Sequence, residues 1–192
     1  MQARMAKDAG ALARLLDGFL RRFAYVSERN LETFTERLAG LLRATEVPRD
    51  PFHLLDGLGI GIERSLLVPP RRALWIREGN RYHIYCSRHE SVEAARFSLW
   101  HELFEILAER PCFPTALDPA TERRLADRFA ACMLMPALPL RQQAAGLVHN
   151  PAGQVPVLAR RFGVSSAAMR RRLHELGLAR PRPLPRCAYP WV

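Results

Sequence analysis

The chain has 192 residues, of which 48% are hydrophobic, a formal net charge of +10 and an isoelectric point near 10.6. A chain of this length can bury about 70% of the surface that its unfolded form exposes, so neither a disulfide nor a structural metal is needed to hold the fold. Charged residues interrupt the apolar stretches, which excludes a signal-peptide core and a membrane span. We therefore expect a cytoplasmic globular protein with no membrane partner.

The cysteines and the basic charge further limit the kinds of metal site and partner that we expect. The four cysteines stand singly, with no CxxC pair and no zinc-finger spacing. We expect them to be reduced thiols, as in cytosolic proteins. Lys7 is the only lysine, so the positive charge comes almost entirely from arginine. The clustering of these arginines matters more for the choice of partner than their sum.

The first 42 residues have the periodicity of helices. Leucine and phenylalanine recur every three or four positions with charged residues between them. This pattern predicts two amphipathic helices with a break near residues 27–30. Prolines 48 and 51 close the second helix, because a residue before proline is pushed away from helical geometry. Residues 1–45 then form a helical extension whose apolar face packs either on the rest of the chain or on a second copy.

The region that follows is rich in β-forming residues. A short helix is predicted over residues 52–57 and a strand over residues 59–66, which alternate in polarity. Two more strands, 73–77 and 81–86, flank Glu78-Gly79-Asn80, a connection typical of a hairpin. We expect a small antiparallel sheet.

Helical patterns resume at Ser91 and continue almost to the end of the chain. Asp118-Pro119 predicts a helix start, with an N-cap followed by proline at the first helical position. The fold class is therefore α+β, mostly helical, with a main domain over residues 46–178. Residues 179–192 contain four prolines and are expected to form an extended Pro/Arg-rich tail.

One helix carries residues that could bind a metal. His101 and Glu105 are four positions apart, so on a helix they project side by side and could share one cation. Glu102 points to the adjacent flank, where a carboxylate can accept a proton from metal-bound water. This is the logic of the HExxH zinc peptidases, although the motif here is HExxE.

The surrounding sequence resembles the ImmA/IrrE family of metallo-endopeptidases. The resemblance runs in the family's order through the strand at Gly59 to Ser65, the hairpin, and residues 96–103, 126–136 and 158–165. It implies a zincin-like site on a helix beside a small sheet, with His101 as a metal ligand and Glu102 as the general base. Glu105 stands where the family has its second histidine, and it remains a competent oxygen ligand for zinc.

The resemblance also implies an acidic ligand from a later helix. In the family pattern this ligand often stands four residues before the Asn/Asp of an Ala-Asn/Asp-x-Phe-Ala-Ala helix, and that position is Arg123 here. Glu122 is one residue earlier, and Asp127 is the Asn/Asp itself. We favour Glu122 as the third ligand, with Asp127 as the alternative. For both acids the competing interpretation is an ordinary helix-surface residue beside arginines.

The altered ligand set changes the expected cation. A histidine with two carboxylates would neutralise Zn²⁺ and weaken its pull on bound water. The site would then work at higher pH, prefer Mn²⁺ or Fe²⁺ through its extra oxygen ligand, or hold no metal in a degenerate member.

A strand beside a zincin helix commonly lines the substrate groove, where a peptide can add as a further strand. His83 and Tyr85 lie on a predicted strand and are candidate substrate contacts. The alternative is that both are ordinary surface or core side chains.

Residues 155–177 read as helix, tight turn and helix, with Ser165 as an N-cap. Arg170 and Arg172 on the second helix could contact DNA phosphates. A similar sequence forms the C-terminal end of the peptidase domain in the family that the chain resembles, so we favour a structural role over DNA binding.

The functional hypothesis is a zinc-dependent endopeptidase of the ImmA/IrrE type that cleaves a protein substrate, which the resemblance suggests is a repressor-like transcription factor. The alternative is a catalytically impaired family member that acts as a protein-binding or DNA-binding regulator.

Overall fold

The computed structural model describes residues 14–69, 73–79, 81–147 and 151–178. The tail from residue 179 and the first 13 residues lie outside these ranges, so the expected form of the tail stays a prediction, as do the domain boundaries near residues 45 and 178. The elements, in chain order, are α1 (residues 14–20), α2 (Leu31–Leu41), α3 (Pro51–Gly57), β1 (Gly61–Ser65), β2 (Ala73–Glu78), β3 (Arg81–Ser87), α4 (Val92–Ala108), α5 (Pro119–Leu134), α6 (Ala137–Ala145), α7 (Pro151–Phe162) and α8 (Ser166–Glu175). The α+β, mostly helical class is confirmed.

The N-terminal helices pack on α5 of the same chain. Phe34 of α2 is fully buried and its ring lies 6.2 Å from that of Phe129 on α5, and Phe19 of α1 lies 5.2 Å from Phe34. The sequence left two partners open for this apolar face, and the structure covers it within the chain. These side chains belong to the same hydrophobic core as α4 and α8.

The sheet has three strands in the order β1-β3-β2 and is mixed. The predicted hairpin is antiparallel, with Glu78 opposite Arg81 and Gly79 at a φ of +62°. β1, however, runs parallel to β3, so the expectation of a purely antiparallel sheet was wrong. The central strand β3 pairs on both sides, and the segment between β1 and β2 carries the chain from one edge of the sheet to the other.

Helices α4 and α5 form the centre of the molecule. Ser91 caps α4 by accepting a hydrogen bond from the amide of Ala94. Asp118 caps α5 through the amides of Ala120 and Thr121, as predicted. Buried residues lie on several sides of α4, which packs against α5 on one side and the sheet on another. Because α4 lies between α5 and the sheet, its side chains that face α5 and β2 are held in place.

The predicted helix-turn-helix-like segment is formed by α7 and α8. Ser165 caps α8 through the amide of Ala168, as expected. Gly163 in the turn has a φ of +62°, a conformation that favours glycine. Leu158, Phe162 and Leu173 are buried in the common core, so this segment is part of the domain.

Among the described residues, no helix is both long enough and apolar enough to cross a membrane.

Candidate metal centre

His101 and Glu105 meet on one face of α4. The Nε2 atom of His101 lies 3.2 Å from Oε1 of Glu105, across one turn of the helix. Both side chains are mostly buried, with 16% and 28% of their surface exposed. The i, i+4 spacing therefore produces the convergence that the sequence predicts.

Asp127 on α5 contacts the other nitrogen of the same ring. Its Oδ1 lies 2.9 Å from Nδ1 of His101. The protonated ring donates from Nδ1 to this carboxylate and from Nε2 to Glu105, so the Nε2 proton has to leave before a cation can bind there. Metal-binding histidines are commonly oriented by a carboxylate in this way. Asp127 is thus placed to orient His101.

The three titrating groups of α4 influence one another. Burial lowers the pKa of His101, but its hydrogen bonds to Asp127 and Glu105 outweigh burial and raise it to about 9. Burial, together with the charge of Glu105, raises the pKa of Glu102 to about 7. The hydrogen bond from His101 lowers the pKa of Glu105, and a hydrogen bond from Trp75 acts in the same direction.

The donor atoms fit a small divalent cation. One ligand atom from each of His101, Glu102 and Glu105 lies within 4.8 Å of the other two. Donors that bind one zinc ion tetrahedrally at about 2.1 Å are about 3.4 Å apart, which the separation of 3.2 Å between Nε2 and Oε1 already matches. An imidazole with carboxylates is also a chemically suitable set for zinc, manganese or iron.

A cavity of about 460 Å³ gives access to this group. Ala73 of β2, Phe97 and Ser98 of α4, and Arg123 and Asp127 of α5 line it together with the three donors. Arg123 thus faces the cavity at the position where the family pattern has an acidic ligand. Its positive charge contributes, after the hydrogen bonds, to the lowered pKa of Glu105.

Glu122, the predicted third ligand, lies in the first turn of α5. Burial and the charge of Glu105 raise its pKa, so it is near the site. Among the described residues, the group whose ligand atoms lie within 4.8 Å of one another consists of His101, Glu102 and Glu105, and it does not include Glu122. The assignment of Glu122 as a ligand therefore stays a prediction.

His83 and Tyr85 lie on β3, outside the cavity lining. They alternate with Ile84 and Cys86, which are fully buried against the helices, so they point to the other face of the sheet. The structure does not bring them to the metal centre.

Two residues of β2, and not His83 and Tyr85 of β3, lie beside the metal centre. Ala73 lines the cavity and Trp75 interacts with Glu105. Sequence reasoning missed both. The hairpin predicted that β2 exists, but it did not show which strand or which face would meet α4.

The arginines proposed for DNA contact are in different environments. Arg170 is exposed, whereas Arg172 is 1% exposed. The guanidinium of Arg172 pairs with Glu32 of α2 and donates to the backbone oxygen of Met135 at 3.1 Å. Arg172 is therefore buried on the core side of α8, an environment that suits the structural role favoured for this segment more than the alternative of a phosphate contact.

Residues 68–174 match the family model described as Peptidase_M78, IrrE N-terminal-like domain. The match spans more than half of the chain, so the chain belongs to this family. The fold is also similar to that of a solved Mycobacterium tuberculosis transcriptional regulator, with a TM-score of 0.56 and 19% identity over 89% of this chain. The chain covers 53% of that protein, about half of its length, and the similarity shows the fold alone. No curated protein matches the chain.

Proposed function

We propose that this member of the Peptidase_M78 family is a metal-dependent endopeptidase that cleaves a protein substrate at the centre formed by α4. The observation that carries the proposal is the convergence of His101 Nε2 and Glu105 Oε1 at 3.2 Å, with the Glu102 carboxylate beside them. A cation bound there would supply Lewis acidity toward a water molecule and the peptide carbonyl.

Each side chain has a role in this proposal. His101 and Glu105 would hold the cation, and Asp127 would keep the His101 ring in the orientation that presents Nε2. Glu122 is the proposed third ligand. Glu102 takes the proton from the attacking water and passes it to the leaving amine. Its carboxylate is buried beside the two donors, where it can reach a water molecule bound next to them.

The sheet offers a place for an extended substrate. β2 is an edge strand, because the order is β1-β3-β2, and its residue Ala73 lines the cavity beside His101. A peptide that pairs with β2 as an additional strand would pass the metal centre. The cleaved segment should therefore be one that can become extended.

The proposed substrate class is a repressor-like transcription factor. The resemblance to ImmA/IrrE proteins supports this class. Zinc is the proposed cation, with Mn²⁺ or Fe²⁺ as alternatives because a second carboxylate replaces a histidine.

The test begins with metal content and uses Glu102→Gln as the diagnostic variant. Purified protein should contain stoichiometric zinc, manganese or iron, and the metal-loaded protein should cut protein or peptide substrates. Glu102→Gln should keep the metal and lose cleavage. Glu63→Gln, an exposed glutamate on β1, is the matched control. Loss of metal in Glu102→Gln would instead make Glu102 a ligand, and continued cleavage would exclude it as the base.

A specific observation favours a second candidate function, a family member that binds partners without cleaving them. Arg123 places a cation where the family pattern expects an anionic ligand, and it lines the same cavity. Protein that takes up no divalent metal even when it is supplied in excess would favour this function.

A further inference from the structure

A second cavity, of about 370 Å³, adjoins the metal centre. It lies between the start of α4, the end of α5 and the turn before α8. Phe97 and Ser98 line both this cavity and the one at the metal centre. Most of the remaining lining is apolar and includes Met135 and Val164. The two cavities are therefore neighbours along one surface of α4.

A buried carboxylate lies in this second cavity. Glu90 is 8% exposed, and its carboxylate oxygens accept a hydrogen bond from the Ser98 hydroxyl at 3.3 and 3.5 Å. Among the described residues it forms no ion pair. Arg64 directs its Nη2 to the backbone oxygen of Glu90, at 2.6 Å, rather than to the carboxylate. The proposed reaction does not use this group.

The environment of Glu90 suits a positively charged ligand. Burial raises the pKa of Glu90, since Ser98 and Arg64 offset the loss of solvation only in part. A carboxylate in an apolar cavity costs free energy unless it is paired. Glu93, exposed and also part of the lining, adds a second negative charge near the entrance. The cavity thus combines apolar walls for a side-chain stem with an anionic end.

The position of the cavity relates it to the bond that would be cut. Ser98, whose hydroxyl donates to Glu90, precedes Glu102 by four residues, which is a rise of about 6 Å along the helix axis. An extended peptide advances about 3.3 Å per residue. A side chain that enters the cavity would therefore come from a residue within about two positions of the scissile bond.

We propose that this cavity is a specificity pocket for an arginine or lysine side chain of the peptide substrate, with Glu90 as the residue that recognises its charge. The assignment rests on the proposed function. The long aliphatic stem of the substrate side chain would lie against Phe97, Met135 and Val164, while its cationic head would pair with Glu90. Arginine fits best, because its planar head can form two hydrogen bonds with one carboxylate and can stack on the Phe97 ring.

The first experiment measures binding and needs no catalysis. Butylguanidinium, added to ¹⁵N-labelled protein, should shift the amide signals of Ser98 and Val164, whereas uncharged butylurea should not. Glu90→Gln should weaken butylguanidinium binding by about tenfold, the loss expected for one charge-assisted hydrogen bond. Glu78→Gln, at an exposed residue of β2 that does not line the cavity, is the matched control and should leave binding unchanged. Shifts that persist unchanged in Glu90→Gln, or that are absent in the unaltered protein, would overturn the assignment.

A second variant tests the pocket independently, in case Glu90→Gln does not fold. Ala168 lines the cavity, so Ala168→Met should fill it and abolish butylguanidinium binding while the Glu90 carboxylate remains. Retained binding in this variant would overturn the assignment.

The second experiment maps cleavage in a positional peptide library with the metal-loaded protein. Arginine or lysine should be enriched at one position within two residues of the cut, and the preference over citrulline should fall by about tenfold in Glu90→Gln. Cleavage with no such enrichment would overturn the pocket assignment. No cleavage at all, with the butylguanidinium shifts retained, would overturn the proposed function and leave the pocket supported.

Discussion

Asp127 Oδ1 lies 2.9 Å from Nδ1 of His101, so α5 sets the orientation of a ring that α4 carries. The contact joins the two helices that build the candidate site. If it orients a ligand, its loss should weaken metal binding without removing a donor atom from the cation.

Asp127→Asn should therefore lower zinc affinity by about 10 to 100-fold, the usual effect of losing a carboxylate that orients a histidine ligand. The amide keeps the size of the side chain but can present its NH₂ group to Nδ1, which favours the wrong tautomer. Competition with a chelator measures the affinity. Exposed Asp56 on α3 provides the control variant Asp56→Asn. An unchanged zinc affinity in Asp127→Asn would show that Asp127 is only a surface partner of His101.

Arg123→Glu should strengthen zinc binding. Arg123 lines the cavity and its positive charge acts on Glu105, so it opposes a cation at the same place. Reversing one charge beside the site should increase the affinity by about tenfold or more. Arg124→Glu carries the same change of charge on the next residue, which is exposed and lies outside the metal-centre cavity. Equal effects of the two variants would indicate a general field effect rather than a ligand position.

Local signals predicted much of this fold. The caps at Asp118 and Ser165 were identified because capping depends on the residue itself and the next two or three amides. The pairing of His101 with Glu105 was predicted for a similar reason, since helical periodicity alone puts them on one face. The antiparallel hairpin followed from its turn residues.

Contacts between distant elements were not predictable in the same way. The direction of β1 depends on its pairing with β3, which no local pattern encodes. The interaction of Trp75 with Glu105 requires knowledge of which face of β2 meets α4. Arg172 is one of three consecutive arginines that point in different directions, and only its contacts with Glu32 of α2 and with the backbone at the end of α5 decide which one is buried.

Gly61→Ala should destabilise the pairing of β1 with β3. A Cβ atom at residue 61 would lie 2.4 Å from Nδ1 of His83 on the paired strand, so the imidazole would have to move. We expect a loss of about 1 to 2 kcal/mol in the free energy of unfolding, measured by urea denaturation. His83→Ala in the same chain should remove most of this cost. Gly57→Ala, where no atom lies within 4 Å of the added Cβ, should be nearly neutral.

Arg172→Met should destabilise the protein by about 3 kcal/mol, as is typical when one partner of a buried ion pair is removed. Arg172 pairs with Glu32 on α2 and bonds the backbone oxygen of Met135 at the end of α5. The variant would leave these groups without their donor in a mostly buried place. Urea denaturation of Arg172→Met should show the loss, and Arg170→Met, an exposed site, should change stability by less than about 0.5 kcal/mol. Adding Glu32→Leu to Arg172→Met should recover part of the stability, because the uncompensated charge is then gone. A loss as small as that of Arg170→Met would mean that Arg172 does not hold α8 to α2.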